Sequence, residues 1–234
     1  MDRKFPDGAL PAKQHRAIAS TRRIAFALEN LLRRKHFDKI TMTEIATEVG
    51  LTPGAIYRRF ENKEALLPHI FARYRAIFAE WLERISVQVV VARSENLEQA
   101  MQVIAAETLS SFRANAHIFR TVHLYGRLNG VAGTSDLNAA QAFAPIAGLI
   151  EHYAAEISAT RRKDAPLLGH ILVSSVSERA LYPRHRPAVL VSVSDDEFCR
   201  ALASMFTSWL RGPAPGGKVR SQGRRRLRPR ATAR

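Results

Sequence analysis

Apolar residues recur along most of this chain with the spacing of amphipathic α-helices. Near the N-terminus, Ile24, Leu28, Leu31 and Leu32 follow the i, i+4, i+7 and i+8 pattern of a helix that buries one face. The same period predicts further helices over residues 65–85, 97–112, 118–125, 137–160, 165–181 and 194–211. Pro145 should kink or split the fourth of these, because proline removes a backbone donor from a helix interior. We therefore predict an all-α fold.

The last predicted helix has a clear start and a wide apolar face. Ser194 and Glu197 have the spacing of a capping box, in which each side chain bonds the other residue's backbone N–H. One apolar stripe follows, made of Phe198, Leu202, Met205, Phe206, Trp209 and Leu210. A stripe this wide should be buried, either in the core of its own chain or at a dimer interface between two copies, and we favour the dimer interface. Cys199, beside the stripe, is expected to be a small buried hydrophobe rather than a redox sensor.

Three segments break the helical pattern. Residues 129–135 have the composition of a loop, and the apolar run 188–193 is interpreted as a loop, with a short strand as the alternative. Residues 212–234 combine Gly, Pro and arginine with too few apolar groups to offset the entropy of ordering. We expect a flexible basic tail there, which either remains solvated, adds a phosphate-binding arm or serves as an interaction segment.

Residues 41–60, TMTEIATEVGLTPGAIYRRF, carry the signals for two short helices joined by a tight turn. Thr41 begins a Thr-x-x-Glu capping box, and Gly50 can end the first helix because glycine readily adopts positive φ. Thr52 is a second N-cap, and Pro53 follows at the first helical position, where its missing N–H costs nothing. The second helix is predicted from Pro53 to about residue 60. This arrangement is a helix-turn-helix.

The outward face of the second short helix indicates contact with DNA. Gly54 and Ala55 are small, so the backbone can approach base edges in a major groove closely. Tyr57, Arg58 and Arg59 supply a hydroxyl group and two cations nearby. The alternative interpretation is a small helical hairpin with solvated arginines.

Basic charge is concentrated at the two ends of the chain. Residues 1–63 carry 13 Lys and Arg against 7 Asp and Glu, residues 64–210 carry 14 of each, and residues 211–234 carry 9 basic and no acidic residues. A neutral middle between basic ends is typical of a polyanion-binding region attached to a separate domain. Basic surface that merely aids solubility is the alternative.

Several classes of protein are disfavoured by what the sequence lacks. It has no run of 18 apolar residues and no apolar core of a secretory signal near its N-terminus, so we expect a cytoplasmic, nucleoid-associated protein. A single cysteine fits a reducing compartment. No glycine-rich phosphate loop, Gly-x-Ser-x-Gly elbow or paired metal-ligand motif is present, so we expect no enzyme, no cofactor and no metal site. The histidines lack metal-ligand spacing: His117, His123, His152, His170 and His185.

Residues of about 20 to 67 resemble the TetR family of bacterial transcription regulators. The resemblance lies in the apolar first helix up to Leu32 and in the segments FDKITMTEIA (37–46), VGLTPGAIYRRF (49–60) and NKEALL (62–67). His36 is a departure, because the family commonly has glycine at the end of the first helix. The rest of the chain resembles the family only in its length and helical content.

The resemblance implies a role for each residue of the motif. Phosphate contacts are expected from Thr41, Thr43, Tyr57 and Lys63. Residues expected along the groove are Thr52, Pro53, Gly54, Ala55 and Arg58. Further charge contacts to the backbone are expected from Lys13, Arg16, Arg22 and Arg23. Phosphate contacts position a protein on the duplex, whereas groove-facing residues specify sequence.

The resemblance also implies a domain organisation. Residues 12–63 form a helix-turn-helix DNA-binding domain, residues 64–211 a helical ligand-binding and dimerisation domain, and residues 212–234 the tail. The expected protein is a homodimer that binds double-stranded DNA at a near-palindromic operator, and a repressor released by a small-molecule effector. The alternative is an architectural or cell-cycle DNA-binding factor without an effector.

Overall fold

The computed structural model describes residues 12–129, 139–182 and 193–212, and these residues fold into α-helices without a strand. The prediction of an all-α fold is therefore confirmed. The helices are α1 (Ala12–Arg34), α2 (Met42–Val49), α3 (Pro53–Tyr57), α4 (Leu67–Arg84), α5 (Val87–Val91), α6 (Leu97–Ala114), α7 (Ala116–Asn129), α8 (Ala139–His152), α9 (Ala165–Leu181) and α10 (Asp195–Arg211). Short 3₁₀ turns lie at Phe37–Lys39, Glu64–Leu66, Ala154–Glu156 and Ala159–Asp164.

The first three helices form a small unit, here called the head. α1 packs across α2, and α2 packs against α3. The head's core is made of buried apolar side chains, which include Ile24 and Leu28 of the predicted apolar period: Ile24, Leu28, Phe37, Ile40, Ile45, Ile56 and Phe60. Two ion pairs, Arg34–Glu48 and Lys35–Glu44, join the end of α1 to α2.

Helices α4 to α10 form the second unit, here called the body. α6 lies at its centre, with α10 and α9 packed along it and α8 packed on α9. α8 approaches α9 closely at Gly169, where an added Cβ would lie 2.2 Å from the ring of Phe143. The buried indole of Trp81 donates a hydrogen bond to the hydroxyl of Thr108 at 3.2 Å, which ties α4 to α6. No helix within the described ranges is long and apolar enough to cross a bilayer.

Two predicted helices differ from the observed ones. The helix predicted over 137–160 is shorter in the structure and is not split, because α8 runs from Ala139 to His152 with Pro145 inside it. A 3₁₀ turn at Ala154–Glu156 follows α8, and beyond it the backbone N–H of Ser158 donates to the carbonyl of Leu210 at 3.0 Å. In the head, α3 ends at Tyr57 rather than near residue 60, and Phe60 beyond its end is buried.

The apolar stripe of α10 is divided between the core and the surface. The predicted capping box is present, since Ser194 Oγ accepts from the Glu197 N–H at 3.2 Å. Leu202, Phe206 and Leu210 are buried, whereas Met205 is 62% and Trp209 41% exposed. Cys199 is buried, as predicted. The loops expected at 129–135 and 188–193 and the tail expected at 212–234 lie outside the described residues, except for Asn129, which ends α7, and residues 193 and 212.

Candidate nucleic-acid interface

The first helix of the motif, α2, begins with a complete capping box at Thr41. Its hydroxyl oxygen accepts from the Glu44 N–H at 3.2 Å, and its own N–H donates to Glu44 Oε2 at 2.9 Å. The bond from Lys35, followed by the backbone bond from Thr41, lowers the pKa of Glu44 from 4.5 to about 2. The carboxylate therefore remains ionised at any pH at which DNA binding would be measured. Thr41 and Thr43 are both exposed at this end of the helix.

The turn of the motif depends on Gly50. This residue has φ 72° and ψ 38°, a left-handed conformation that costs a side-chain-bearing residue energy. With Gly50 in this conformation the chain reverses direction, and the N–H of Leu51 donates to the carbonyl of Ala46 at 2.9 Å. This bond satisfies one of the carbonyl groups at the end of α2. The chain then enters the second helix within two residues.

The second helix, α3, begins at the predicted cap. The hydroxyl oxygen of Thr52 accepts from the Ala55 N–H at 3.2 Å, and Pro53 occupies the first helical position. Ile56 is fully buried, and it anchors the helix in the core of the head, where α3 packs against α2. Because α3 has only five residues, this anchor and the Thr52 cap determine its position more than helix propensity does.

The outer face of α3 is open to solvent. Thr52, Pro53, Gly54 and Arg58 are exposed, and Ala55 is half-buried. An added Cβ at Gly54 would meet nothing within 4 Å, so a flat, small surface faces outward. The phenol of Tyr57 is 53% exposed beside it. The residues expected along a groove are thus exposed, or in the case of Ala55 half-buried, in and next to α3.

The basic residues near this face differ in how they are held. Arg22 is exposed, whereas Arg23 donates to the carbonyl of Val49 at 3.0 Å and so caps the end of α2. The side chains of Lys13 and Arg16 lie outside the described part of the chain. No local pattern predicts the capping role of Arg23, because its partner is 26 residues away.

Lys63 makes intramolecular bonds that the motif did not predict. Its ammonium group donates to the carbonyl oxygens of Phe37 at 2.8 Å and Asp38 at 3.2 Å, and it lies 4.7 Å from the centre of the Phe37 ring. The side chain remains partly exposed. Lys63 therefore ties the end of the motif to the 3₁₀ turn that precedes it.

Comparison with known proteins supports this description of the head. The family model of bacterial regulatory proteins of the tetR family matches residues 26–70. This match includes α2, the turn, α3 and the start of α4. The chain has no match among curated protein sequences.

Solved structures share the fold of most of the chain. A TetR-family transcriptional regulator from Mesorhizobium loti has a TM-score of 0.58 and 16% identity, with 82% of this chain and 96% of that chain covered. A TetR-family regulator from Streptomyces coelicolor has a TM-score of 0.56 and 15% identity, with 80% and 78% covered. The fatty acid degradation regulator FadR from Bacillus halodurans has a TM-score of 0.55 and 12% identity, with 91% and 100% covered.

The family model matches the helix-turn-helix head, and the fold of head and body together is that of TetR-family structures. The resemblance to the tetR family of bacterial regulatory proteins is therefore confirmed over residues 26–70, and the rest of the described chain shares the fold of TetR-family structures.

Proposed function

We propose that this protein is a homodimeric repressor that binds a near-palindromic operator and is released by a small molecule. The observation that carries the proposal is the exposed, small-faced helix α3, held by a capped turn and flanked by cations. Each protomer inserts α3 into a major groove, and the two grooves lie about 34 Å or a multiple of that distance apart.

The residues of the motif divide into two roles. Gly54, Ala55 and Arg58 lie along base edges together with Thr52 and Pro53, and they specify sequence. Thr41, Thr43 and Tyr57 bond phosphates and set the register on the duplex. The ammonium group of Lys63 has three N–H donors, and two of them bond the carbonyl oxygens of Phe37 and Asp38. The third donor contacts a phosphate.

The operator is tested by selecting bound duplexes from a random pool with the full-length protein. We expect an inverted repeat with two half-sites. Recovery of unrelated sequences, or of a single unrepeated site, would contradict a symmetric dimer on DNA.

Dimerisation is proposed through α9 and α10. Three large apolar side chains of these helices are exposed in the single chain: Leu167, Met205 and Trp209. Their burial against a second copy removes this apolar surface from water, which is the main driving force of such association. We expect Met205→Asp to yield monomers in light scattering. The control is Val89→Asp, which changes an apolar residue of α5 that is 39% exposed and lies outside this face.

The effector site is proposed in a groove of about 560 Å³ between α4, α5 and α8. This volume is within the range of small-molecule sites. The groove is lined by Ala79, Leu82, Ser86, Val87, Gln141, Ala144 and Pro145, a mostly apolar set with two polar side chains. α4 starts directly after the head, so a ligand that favours another position of α4 changes the placement of α3.

This site is tested with a panel of apolar acids and alcohols of increasing chain length, measured by thermal shift and by release of operator DNA. The mostly apolar lining motivates the panel. We expect Ala144→Trp to fill the groove and abolish the response while operator binding persists. An unchanged response in Ala144→Trp would place the effector elsewhere.

A further inference from the structure

The 3₁₀ turn Phe37–Lys39 is held from two sides. From within the head, Lys63 donates to two of its carbonyl oxygens, as described above. From the body, the hydroxyl of Tyr125 on α7 donates to Oδ1 of Asp38. The turn connects α1 to α2, so its position influences where the helix-turn-helix lies.

The ring of Tyr125 adds a second contact to the same turn. It packs edge-on against the ring of Phe37, with centroids 4.9 Å apart and an interplanar angle of 70°. Burial, followed by the hydrogen bond to Asp38, raises the pKa of Tyr125 to about 12. The phenol therefore keeps its proton, and remains a donor, throughout the range in which proteins bind DNA.

A second contact between α7 and the head lies near the other end of the helix. The Nε2 atom of buried His117 is 3.4 Å from Oε1 of Glu29 on α1. His117 and Tyr125 are eight residues apart, which corresponds to roughly 12 Å along a helix axis. Two contacts so far apart on one rigid helix fix the orientation of the head relative to α7, whereas a single contact would allow the head to rotate about it.

We infer that Tyr125 is a positioning residue that sets the orientation of the helix-turn-helix relative to the body, and thereby the half-site spacing that the dimer accepts. The inference rests on the proposed dimeric DNA binding. In a dimer joined through the bodies, a rotation of each head changes the distance between the two α3 helices. The hydrogen bond from Tyr125 to Asp38 opposes that rotation without touching DNA.

The experiment measures affinity for duplexes whose two half-sites are separated by a varied number of base pairs. The variants are Tyr125→Phe, which removes only the hydroxyl and keeps the ring against Phe37, and the control Tyr153→Phe, which removes a phenol hydroxyl from the turn after α8. An isolated half-site is measured alongside, and thermal melting reports on folding.

We expect the unsubstituted protein to show a sharp optimum. In Tyr125→Phe, affinity at that optimum should fall about threefold to tenfold, as expected for the loss of one hydrogen bond of ordinary strength. Affinity one or two base pairs away should fall less, so the spacing profile becomes flatter, while half-site affinity is unchanged. Tyr153→Phe should match the unsubstituted protein.

A Tyr125→Phe profile as sharp as that of the unsubstituted protein would overturn the inference and leave the proposed function intact. An equal loss at every spacing and at the isolated half-site would also overturn it, because that pattern indicates general destabilisation of the head. If the unsubstituted protein binds DNA with no preference for paired half-sites, the proposed function fails and this inference fails with it.

Discussion

Gly50 and Gly54 offer a matched test of the motif, because alanine at either position adds the same methyl group in open space. An added Cβ meets nothing within 4 Å at either residue. The two positions differ in backbone conformation, since Gly50 has φ 72° whereas Gly54 lies inside α3. The consequences of the two substitutions should therefore differ in sign.

The expected changes in stability follow from the backbone. A residue with a Cβ in the left-handed region costs roughly 1–2 kcal/mol, so Gly50→Ala should lower the free energy of unfolding by that amount. Glycine in a helix is less favourable than alanine by roughly 0.5–1 kcal/mol, so Gly54→Ala should raise it by up to that amount. For a protein of this size, about 1 kcal/mol shifts the melting temperature by roughly 2–4 °C.

For DNA binding, the substitution expected to be harmful is Gly54→Ala, whereas Gly50→Ala should have little effect. Gly54→Ala places a methyl group between α3 and the base edges, and the resulting loss of a close contact should cost about 1–3 kcal/mol of operator affinity. Gly50→Ala leaves the outer face of α3 unchanged. It should bind the operator normally at temperatures well below its melting transition.

Thermal melting by circular dichroism and fluorescence anisotropy with operator and scrambled duplexes measure the two properties. The reasoning about α3 would be refuted if Gly54→Ala bound the operator as tightly as the unsubstituted protein. The reasoning about the turn would be refuted if Gly50→Ala melted at an unchanged temperature.

Three further predictions concern the same head. Ala55→Arg should abolish the preference for the operator over scrambled DNA with an unchanged helical spectrum, and retained preference would show that this face does not contact bases. Tyr57→Ala should weaken binding to operator and scrambled duplexes equally, by roughly tenfold if its hydroxyl bonds a phosphate. Because the pKa of Glu44 falls from 4.5 to about 2 on folding, its contribution to stability is complete above pH 4.5 and is lost as pH falls towards 2. Urea unfolding from pH 6 to pH 2 should show this loss, and Glu44→Gln should show a smaller dependence on pH.

The differences between prediction and structure have a common cause. One helix was expected over 137–160, yet α8 ends at His152, and the Ser158 N–H beyond it bonds the carbonyl of Leu210, 52 residues further along the chain. Lys63 was expected to contact phosphate, and the structure adds two bonds from it to the turn at Phe37 and Asp38. In each case the partner is distant in sequence, and no local pattern identifies it.

The sequence by itself determined the helices' caps and the turn of the motif. The bonds of Thr41, Thr52 and Ser194 reach only three residues ahead, and the conformation of Gly50 depends on a single backbone position. Such interactions depend on neighbours that the sequence places side by side.

Only the tertiary structure decided how the head is attached to the body. Tyr125 and Asp38 are 87 residues apart, and His117 and Glu29 are 88 apart. Their pairing depends on how α7 packs against the head, and that packing is the result of many apolar contacts summed over the whole core. The fold therefore decides which distant residues a side chain contacts, whereas a helix cap is decided by residues that are neighbours in sequence.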